Sequence, residues 1–268
     1  MPLRSWKLGR VGGIDLFLHP TFLLVPFYLL SLGADAWVFG LVALVFGCVV
    51  LHELGHAMMA RRYGIGTAYI TLTPIGGIAR LDRMPRASGP ELLIALAGPA
   101  VNLAIAAALW AAIAAFGPAL GSGPLAVVLV QMLWINVGLM AFNMLPVFPM
   151  DGGRVLRALL STWLGRPRAT TIAANLGKFI AAVAGLYFLA GGMLLKACLA
   201  AFIYAAAAAE LRAVRREGGL DGGDGTGSGW PAPPPGYRWV SRGDGTFRLA
   251  PVVVTVGPYP FGPRTPWR

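Results

Sequence analysis

Long apolar runs dominate the pattern of hydrophobic and polar positions along this chain. They occupy residues 14–32, 37–60, 91–116, 124–148 and, less evenly, 170–211. Each of the first four is close to or above the roughly 20 residues that an α-helix needs to cross a bilayer. The last region is long enough for two such helices, hinged at Gly191 and Gly192. The pattern therefore predicts an all-α polytopic membrane protein with six transmembrane helices.

A short segment between the second and third apolar runs has a different pattern. Residues 67–73 are rich in types that favour strands, residues 74–77 contain turn formers, and residues 78–81 can return as a second strand. Non-helical backbone at membrane depth is tolerated where it is buried in protein or lines a water-filled cavity. We therefore expect a small β-hairpin between helices 2 and 3 that lines a functional site. An ordinary cytoplasmic loop is the alternative.

Composition and charge agree with a membrane protein. Of 268 residues, 57% are hydrophobic and only 12% are charged, against about 25% charged in soluble domains. The net charge of +11 does not indicate nucleic acid, because the basic residues cluster at the ends of apolar runs and lack interleaved aromatics. With six helices, the arginine clusters near 4–10, 61–86, 154–168 and 212–216 share one side. The positive-inside rule then places both termini and this side in the cytoplasm of a multi-pass cell-membrane protein.

The composition changes after Glu217. Residues 218–268 are rich in Gly and Pro and show no apolar period, which favours a flexible chain. We therefore predict two regions, a six-helix core over residues 1–217 and a mostly disordered cytoplasmic tail over residues 218–268. A small hairpin over residues 237–249, turning at residues 243–245, is the alternative for part of the tail.

Three ionisable side chains interrupt the second apolar run, and they are His52, Glu53 and His56. A charge at that depth costs about 2.5–3.5 kcal/mol on insertion scales, so such residues indicate function. In a helix His52 and His56 lie one turn apart on the same face, where they can share one metal ion. Glu53 lies beside them, in place to act as a general base. This H-E-x-x-H spacing is typical of zinc metalloproteases.

A third metal ligand is needed, because catalytic zinc usually takes three protein ligands. The third histidine of the chain, His19, lies in the first apolar run without a partner motif. Among the carboxylates Asp151 stands out, because it follows the fourth run and closes the segment Asn143 to Gly153. The second and fourth helices run in the same direction in the six-helix arrangement, so both motifs lie at the same depth. We therefore predict one Zn²⁺ ion held by His52, His56 and Asp151.

Two further amides are candidates for supporting roles. Asn143 lies at the end of the fourth run and could bind a substrate strand or the oxyanion of a tetrahedral intermediate; an interhelical hydrogen bond is the alternative. In the third run, Gly98 favours close helix packing and Asn102 favours a hydrogen bond across the bundle. We interpret these last two as structural.

Four segments complete the set of motifs. They are His52-Glu53-Leu54-Gly55-His56, Asn143-x-x-Pro146-x-x-Pro149-x-Asp151-Gly152, the Gly76-Gly77 hairpin and Ala97-Gly98-Pro99. Together they resemble the site-2 protease family of intramembrane zinc metalloproteases, over roughly residues 10–212. The resemblance implies a six-span core, three zinc ligands at His52, His56 and Asp151, and Glu53 as the catalytic carboxylate.

The function predicted from these observations is hydrolysis of peptide bonds in single-pass membrane protein substrates, within the lipid bilayer, as in regulated intramembrane proteolysis. The hairpin that contains Gly76 and Gly77 would present the substrate by strand addition. A metal or ion transporter that uses the same His and Asp side chains is the alternative. It gives no reason for a glutamate next to the first histidine. An inactive homologue that acts as a membrane scaffold is a second alternative.

Overall fold

The computed structural model describes residues 5–83, 85, 87–221, 234, 236–241 and 247–251. Most of them are helical. The elements in chain order are β1 (Trp6–Val11), β2 (Ile14–Leu18), a 3-10 helix (Pro20–Leu23), α1 (Leu24–Ser31), α2 (Ala36–Arg62), β3 (Thr67–Thr73), β4 (Gly76–Leu81), α3 (Ser88–Leu120), α4 (Pro124–Asn143), α5 (Asp151–Leu164), α6 (Arg166–Ala190), α7 (Leu194–Asp221), β5 (Tyr237–Ser241) and β6 (Phe247–Pro251).

Five helices in the described part of the chain are long and apolar enough to cross a membrane, namely α2, α3, α4, α6 and α7. Their surfaces carry large apolar side chains, and Trp110, Phe179, Leu186 and Tyr187 are each more than 60% exposed. In water such a surface would be strongly unfavourable, whereas lipid chains solvate it at no cost. The chain is therefore a multi-pass membrane protein.

The first of the six predicted membrane helices, over residues 14–32, is not confirmed. This run folds as β2, the 3-10 helix and the eight-residue α1. The helical part, Pro20–Ser31, rises about 18 Å at 1.5 Å per residue, which is well short of a hydrocarbon core about 30 Å thick. Residues 15–18 instead pair with residues 69–72 of β3. Apolar content alone does not distinguish a membrane helix from a strand paired in a sheet, because both structures can bury apolar side chains.

Two of the helix interruptions in the second half of the chain bear on the sequence predictions. The predicted hinge is confirmed, since α6 ends at Ala190, α7 begins at Leu194, and Gly192 has a φ of 69° between them. The other interruption lies between α4 and α5, where the helix ends at Asn143 and resumes at Asp151. The sequence analysis placed Asp151 in a segment that follows the fourth apolar run, and the structure shows that it is the first residue of a separate short helix, which the sequence did not predict.

The predicted hairpin is present as β3 and β4, but it belongs to a larger sheet. Four strands pair in the order β1-β2-β3-β4, with β2 and β3 parallel and the other pairs antiparallel. The prediction of an all-α protein with a lone hairpin was therefore incomplete, because the strand nature of β1 and β2 was missed. Ile70 and Leu72 of β3 are buried, and β3 and β4 contact α2. Strand β4 forms one edge of the sheet.

The chain divides into two compact units, residues 1–214 and 215–268. In the second unit, β5 and β6 pair as an antiparallel hairpin, which was the alternative considered for residues 237–249. Its turn at residues 243–245 lies outside the described residues, as do most other residues of 218–268. Disorder in that region remains a prediction.

Candidate metal and active site

Three buried side chains from two helices meet at one point. His52 and His56 lie one turn apart on α2, and Asp151 is the first residue of α5. Asp151 Oδ2 lies 3.1 Å from His52 Nε2 and 3.2 Å from His56 Nε2, and the two Nε2 atoms are 3.1 Å apart. The structure thus brings together the three side chains that the sequence analysis predicted as metal ligands.

The other ring nitrogen of each histidine has a hydrogen-bond acceptor. His56 Nδ1 lies 2.6 Å from the backbone oxygen of Ile94, and His52 Nδ1 lies 3.0 Å from Asn102 Oδ1. Carbonyl oxygens only accept, so each neutral ring donates from Nδ1 and presents a lone pair at Nε2. Asn102 is fully buried, and its predicted interhelical hydrogen bond has His52, one of the three predicted metal ligands, as the partner.

The donor set fits one zinc ion. Two imidazole lone pairs and a carboxylate oxygen converge without a proton between the two nitrogens, and this arrangement is unfavourable unless a cation lies among them. A tetrahedral zinc ion with bonds of about 2.0–2.1 Å holds its ligand atoms about 3.3 Å apart. The separations of 3.1–3.2 Å between the three atoms are close to that value.

Helix α3 passes directly beside the ligand atoms. A Cβ atom on Gly98 would lie 2.3 Å from His56 Nε2 and 2.6 Å from His52 Nε2. On the facing helix, a Cβ on Gly55 would lie 2.8 Å from the Ala97 oxygen. The two glycines therefore allow α2 and α3 to approach closely at the level of the site. The sequence analysis assigned Gly98 to packing alone, because sequence spacing does not reveal what lies on the other side of a glycine.

Glu53 lies under the edge strand β4. Its Oε2 accepts a hydrogen bond from the backbone N–H of Ala79 at 3.2 Å. A Cβ on Gly77 would lie 2.5 Å from Glu53 Cγ, so the glycine leaves room for this side chain. The predicted hairpin residues Gly76 and Gly77 begin β4, and Gly77 is the one that contacts Glu53.

The segment between α4 and α5 aims Asp151 into the bundle. A Cβ on Gly152 would lie 2.3 Å from the backbone oxygens of Met144 and Leu145, so the start of α5 packs tightly on this segment. Asn143 ends α4, and its Nδ2 donates to the Leu139 oxygen of the same helix at 3.0 Å. The structure therefore gives the Asn143 amide a hydrogen bond within its own helix.

The fold and the site define a multi-pass membrane protein with a buried metal-binding triad at the junction of two helices. A sequence model of a protein family, described as peptidase family M50, matches residues 40–122 and 112–187. Together these residues are more than half of the chain. The chain therefore belongs to peptidase family M50.

Individual relatives agree with this assignment. A zinc metalloprotease of Methanocaldococcus jannaschii is 38% identical over 217 residues, which are 80% of this chain and 62% of that protein. Stage IV sporulation protein FB of Bacillus subtilis is 29% identical over 117 residues, which are 43% of this chain and 38% of that protein. The chain thus matches less than two thirds of the length of these curated relatives.

A solved structure is also similar to this fold. It is described as a site-2 protease from Methanocaldococcus jannaschii, and it superposes with a TM-score of 0.60 and 36% sequence identity. The match covers 77% of this chain and 95% of that one. The resemblance to the site-2 protease family that the motifs predicted is confirmed.

Proposed function

We propose that this chain is an intramembrane zinc metalloprotease that cleaves single-pass membrane proteins. The observation that carries the proposal is the convergence of His52 Nε2, His56 Nε2 and Asp151 Oδ2 in a buried site. Glu53, next to the first ligand in the chain, provides a carboxylate beside that site. Membership of peptidase family M50 supports the same chemistry. Neither the geometry nor the relatives favour the transporter alternative.

His52, His56 and Asp151 would hold the zinc ion. When bound, zinc polarises the scissile carbonyl and lowers the pKa of water to about 7. Glu53 takes a proton from the attacking water at Oε1, because Oε2 is held by the N–H of Ala79. Glu53 then passes that proton to the leaving amine as the C–N bond breaks. The hydrogen bonds from Nδ1 to Ile94 and Asn102 keep both rings in the ligating orientation.

The substrate would bind as an added strand along β4. This strand lies at the edge of the sheet, and the hydrogen bond from the N–H of Ala79 to Glu53 brings that edge beside the proposed general base. A helical membrane segment would have to unwind before its backbone could pair there, which satisfies backbone groups inside the membrane. We assign the Asn143 amide to the oxyanion or to the substrate backbone, and it would have to exchange its bond to Leu139 for that role.

The active-site end of the bundle would face the cytoplasm. Arg61 and Arg62 end α2, Arg154 and Arg166 lie around α5, and Arg212 lies near the membrane end of α7. These arginines share one side of the five membrane helices, and the positive-inside rule assigns that side to the cytoplasm. Cleavage there would release a soluble fragment into the cytoplasm, as regulated intramembrane proteolysis requires.

Metal removal separates the proposed activity from transport. We expect the purified chain in proteoliposomes to cleave a single-pass substrate, to lose that cleavage on treatment with a zinc chelator, and to regain it when zinc is added back. Cleavage is measured by gel, and zinc flux is measured in the same vesicles with an entrapped indicator. Zinc flux without cleavage would overturn the proposed function in favour of a transporter.

Replacing Gly77 with Ala should reduce the turnover number while zinc remains bound. The new Cβ would lie 2.5 Å from Glu53 Cγ, so Glu53 must move away from its position, and a displacement of about 1 Å in a catalytic group can cost about 10²-fold in rate. Cleavage rate and zinc content are measured on the same preparation. Gly9 of β1 is the matched control, because a Cβ there meets nothing within 4 Å. Equal rates for Gly77→Ala and Gly9→Ala would contradict the proposed role of Glu53.

A further inference from the structure

A buried ionic cluster lies outside the proposed chemistry and joins four helices, since Arg166 of α6 also lies 3.7 Å from Glu91 Oε2. Arg157 of α5 is fully buried, and its Nε donates to Glu91 Oε1 of α3 at 2.7 Å. Its Nη1 donates to Glu210 Oε1 of α7. Breaking such a buried pair is costly, yet apolar residues of similar volume often stabilise a core equally well. Stability alone therefore gives little reason for this cluster.

Glu91 lies on the face of α3 that contacts the two histidines. The residues of this face are Glu91, Ile94, Gly98 and Asn102, at the spacing of three, four and four that keeps residues on one side of a helix. Ile94 and Asn102 accept the hydrogen bonds of His56 and His52, and Gly98 packs against both rings. Glu91 extends the same face by one turn and is 5% exposed.

Arg157 lies on the helix that begins with the third ligand. It follows Asp151 by six residues, which is about 9 Å along the axis of α5. Its guanidinium carbon also lies 5.0 Å from the centre of the Phe148 ring, in the segment just before Asp151. Arg157 therefore contacts α3 on one side and the segment that precedes Asp151 on the other.

We propose that Arg157 and Glu91 form a positioning pair for the metal site. The pair fixes α5 against α3, and α3 in turn orients both histidines, so Asp151 Oδ2 is held at its distance from the two Nε2 atoms. This inference rests on the proposed metal site and adds to it the residues that set its geometry. Neither residue of the pair contacts the ligand atoms directly.

The decisive variant is Glu91→Gln, which removes the α3 charge that both Arg157 and Arg166 meet. We expect the full-length protein in detergent to bind zinc 10–100-fold more weakly, as measured by chelator competition. This is the range found when residues that support the metal ligands are replaced. We also expect the visible absorption of the Co²⁺-loaded protein to change, because Asp151 shifts. Neither result follows from a general loss of stability measured well below the unfolding temperature.

The control is Glu210→Gln, which removes the other and more exposed carboxylate from the same arginine. Glu210 lies on α7 and is part of neither α3 nor α5, so we expect zinc affinity within about twofold of wild type and an unchanged Co²⁺ spectrum. Equal weakening by Glu91→Gln and Glu210→Gln would overturn the proposal, because it would show a structural role only. Wild-type affinity in Glu91→Gln would also overturn it.

A second variant covers the case in which Glu91→Gln does not fold. The double substitution Glu91→Met with Arg157→Met replaces the central pair by apolar side chains, which a core often tolerates. Of the outer members of the cluster, Glu210 is partly exposed and Arg166 keeps its hydrogen bond to the Pro85 oxygen. We expect this variant to fold and to show the same weakened zinc binding; normal zinc binding would overturn the positioning role. If the wild-type protein itself binds no zinc, the proposed function is wrong. If the wild-type protein binds zinc and the variants bind it equally well, only the positioning role is wrong.

Discussion

Replacing Glu53 with Gln should abolish proteolysis while the zinc ion stays bound. The amide keeps nearly the same shape but cannot accept the proton of the attacking water, and general acid–base catalysis typically contributes about 10²–10⁴-fold in rate. The amide oxygen can still accept the hydrogen bond from Ala79, so β4 should keep its place over the helix. Cleavage of a single-pass substrate in proteoliposomes measures the rate, and metal analysis of the same sample measures zinc.

The control for this variant is a carboxylate at the other end of the same helix. Asp35 caps α2 by accepting from the N–H of Val38, and Asn is an equally good cap. Asp35→Asn should therefore cleave at the wild-type rate. If Glu53→Gln cleaves as fast as Asp35→Asn, with equal protein and zinc levels, then Glu53 is not the general base.

Replacing Gly98 with Ala should eliminate high-affinity zinc binding, and activity with it. The added methyl group would lie 2.3 Å from His56 Nε2 and 2.6 Å from His52 Nε2, far inside van der Waals contact. Either α3 must move away, which breaks the hydrogen bonds at Ile94 and Asn102, or the rings must turn away from Asp151. The measurement is the zinc dissociation constant of the purified protein by chelator competition, and we expect a loss of at least about 10²-fold.

A glycine of α2 is the control for this substitution. Gly47 lies inside the helix that carries both histidines, and a Cβ there meets nothing within 4 Å. Gly47→Ala should bind zinc as tightly as wild type, and the helix should be slightly more stable, since Ala is favoured over Gly by about 1 kcal/mol. If Gly98→Ala binds zinc as tightly as Gly47→Ala, the placement of α3 beside the ligand atoms is wrong.

Local sequence patterns were sufficient to predict many of the helices and strands of this protein. Length and apolar content predicted the membrane helices α2, α3 and α4 and the division between α6 and α7, because those features depend on the bilayer rather than on packing. The helical repeat predicted that His52 and His56 share a face. Strand-favouring residues beside turn formers predicted β3 and β4. Each of these inferences uses residues that are close together in the chain.

The first apolar run shows the limit of that reasoning. Residues 14–18 satisfy the composition of a membrane helix, yet they form β2 because β3, some 50 residues later, offers a parallel partner. The short helix α5 was missed for a related reason. Asp151 begins this helix where Gly152 packs against backbone oxygens of the preceding segment, and that contact depends on tertiary packing.

The sequence by itself indicated the kind of site, since a histidine pair with an adjacent glutamate in an apolar helix has the spacing typical of zinc metalloproteases. Only the tertiary structure decided how the site is held together. It placed Gly98 and Asn102 against the histidines, placed Ala79 over Glu53, and joined Glu91 to Arg157. The physical reason is that such contacts depend on which faces of distant helices meet, and the identity of a residue does not specify the neighbour across the interface.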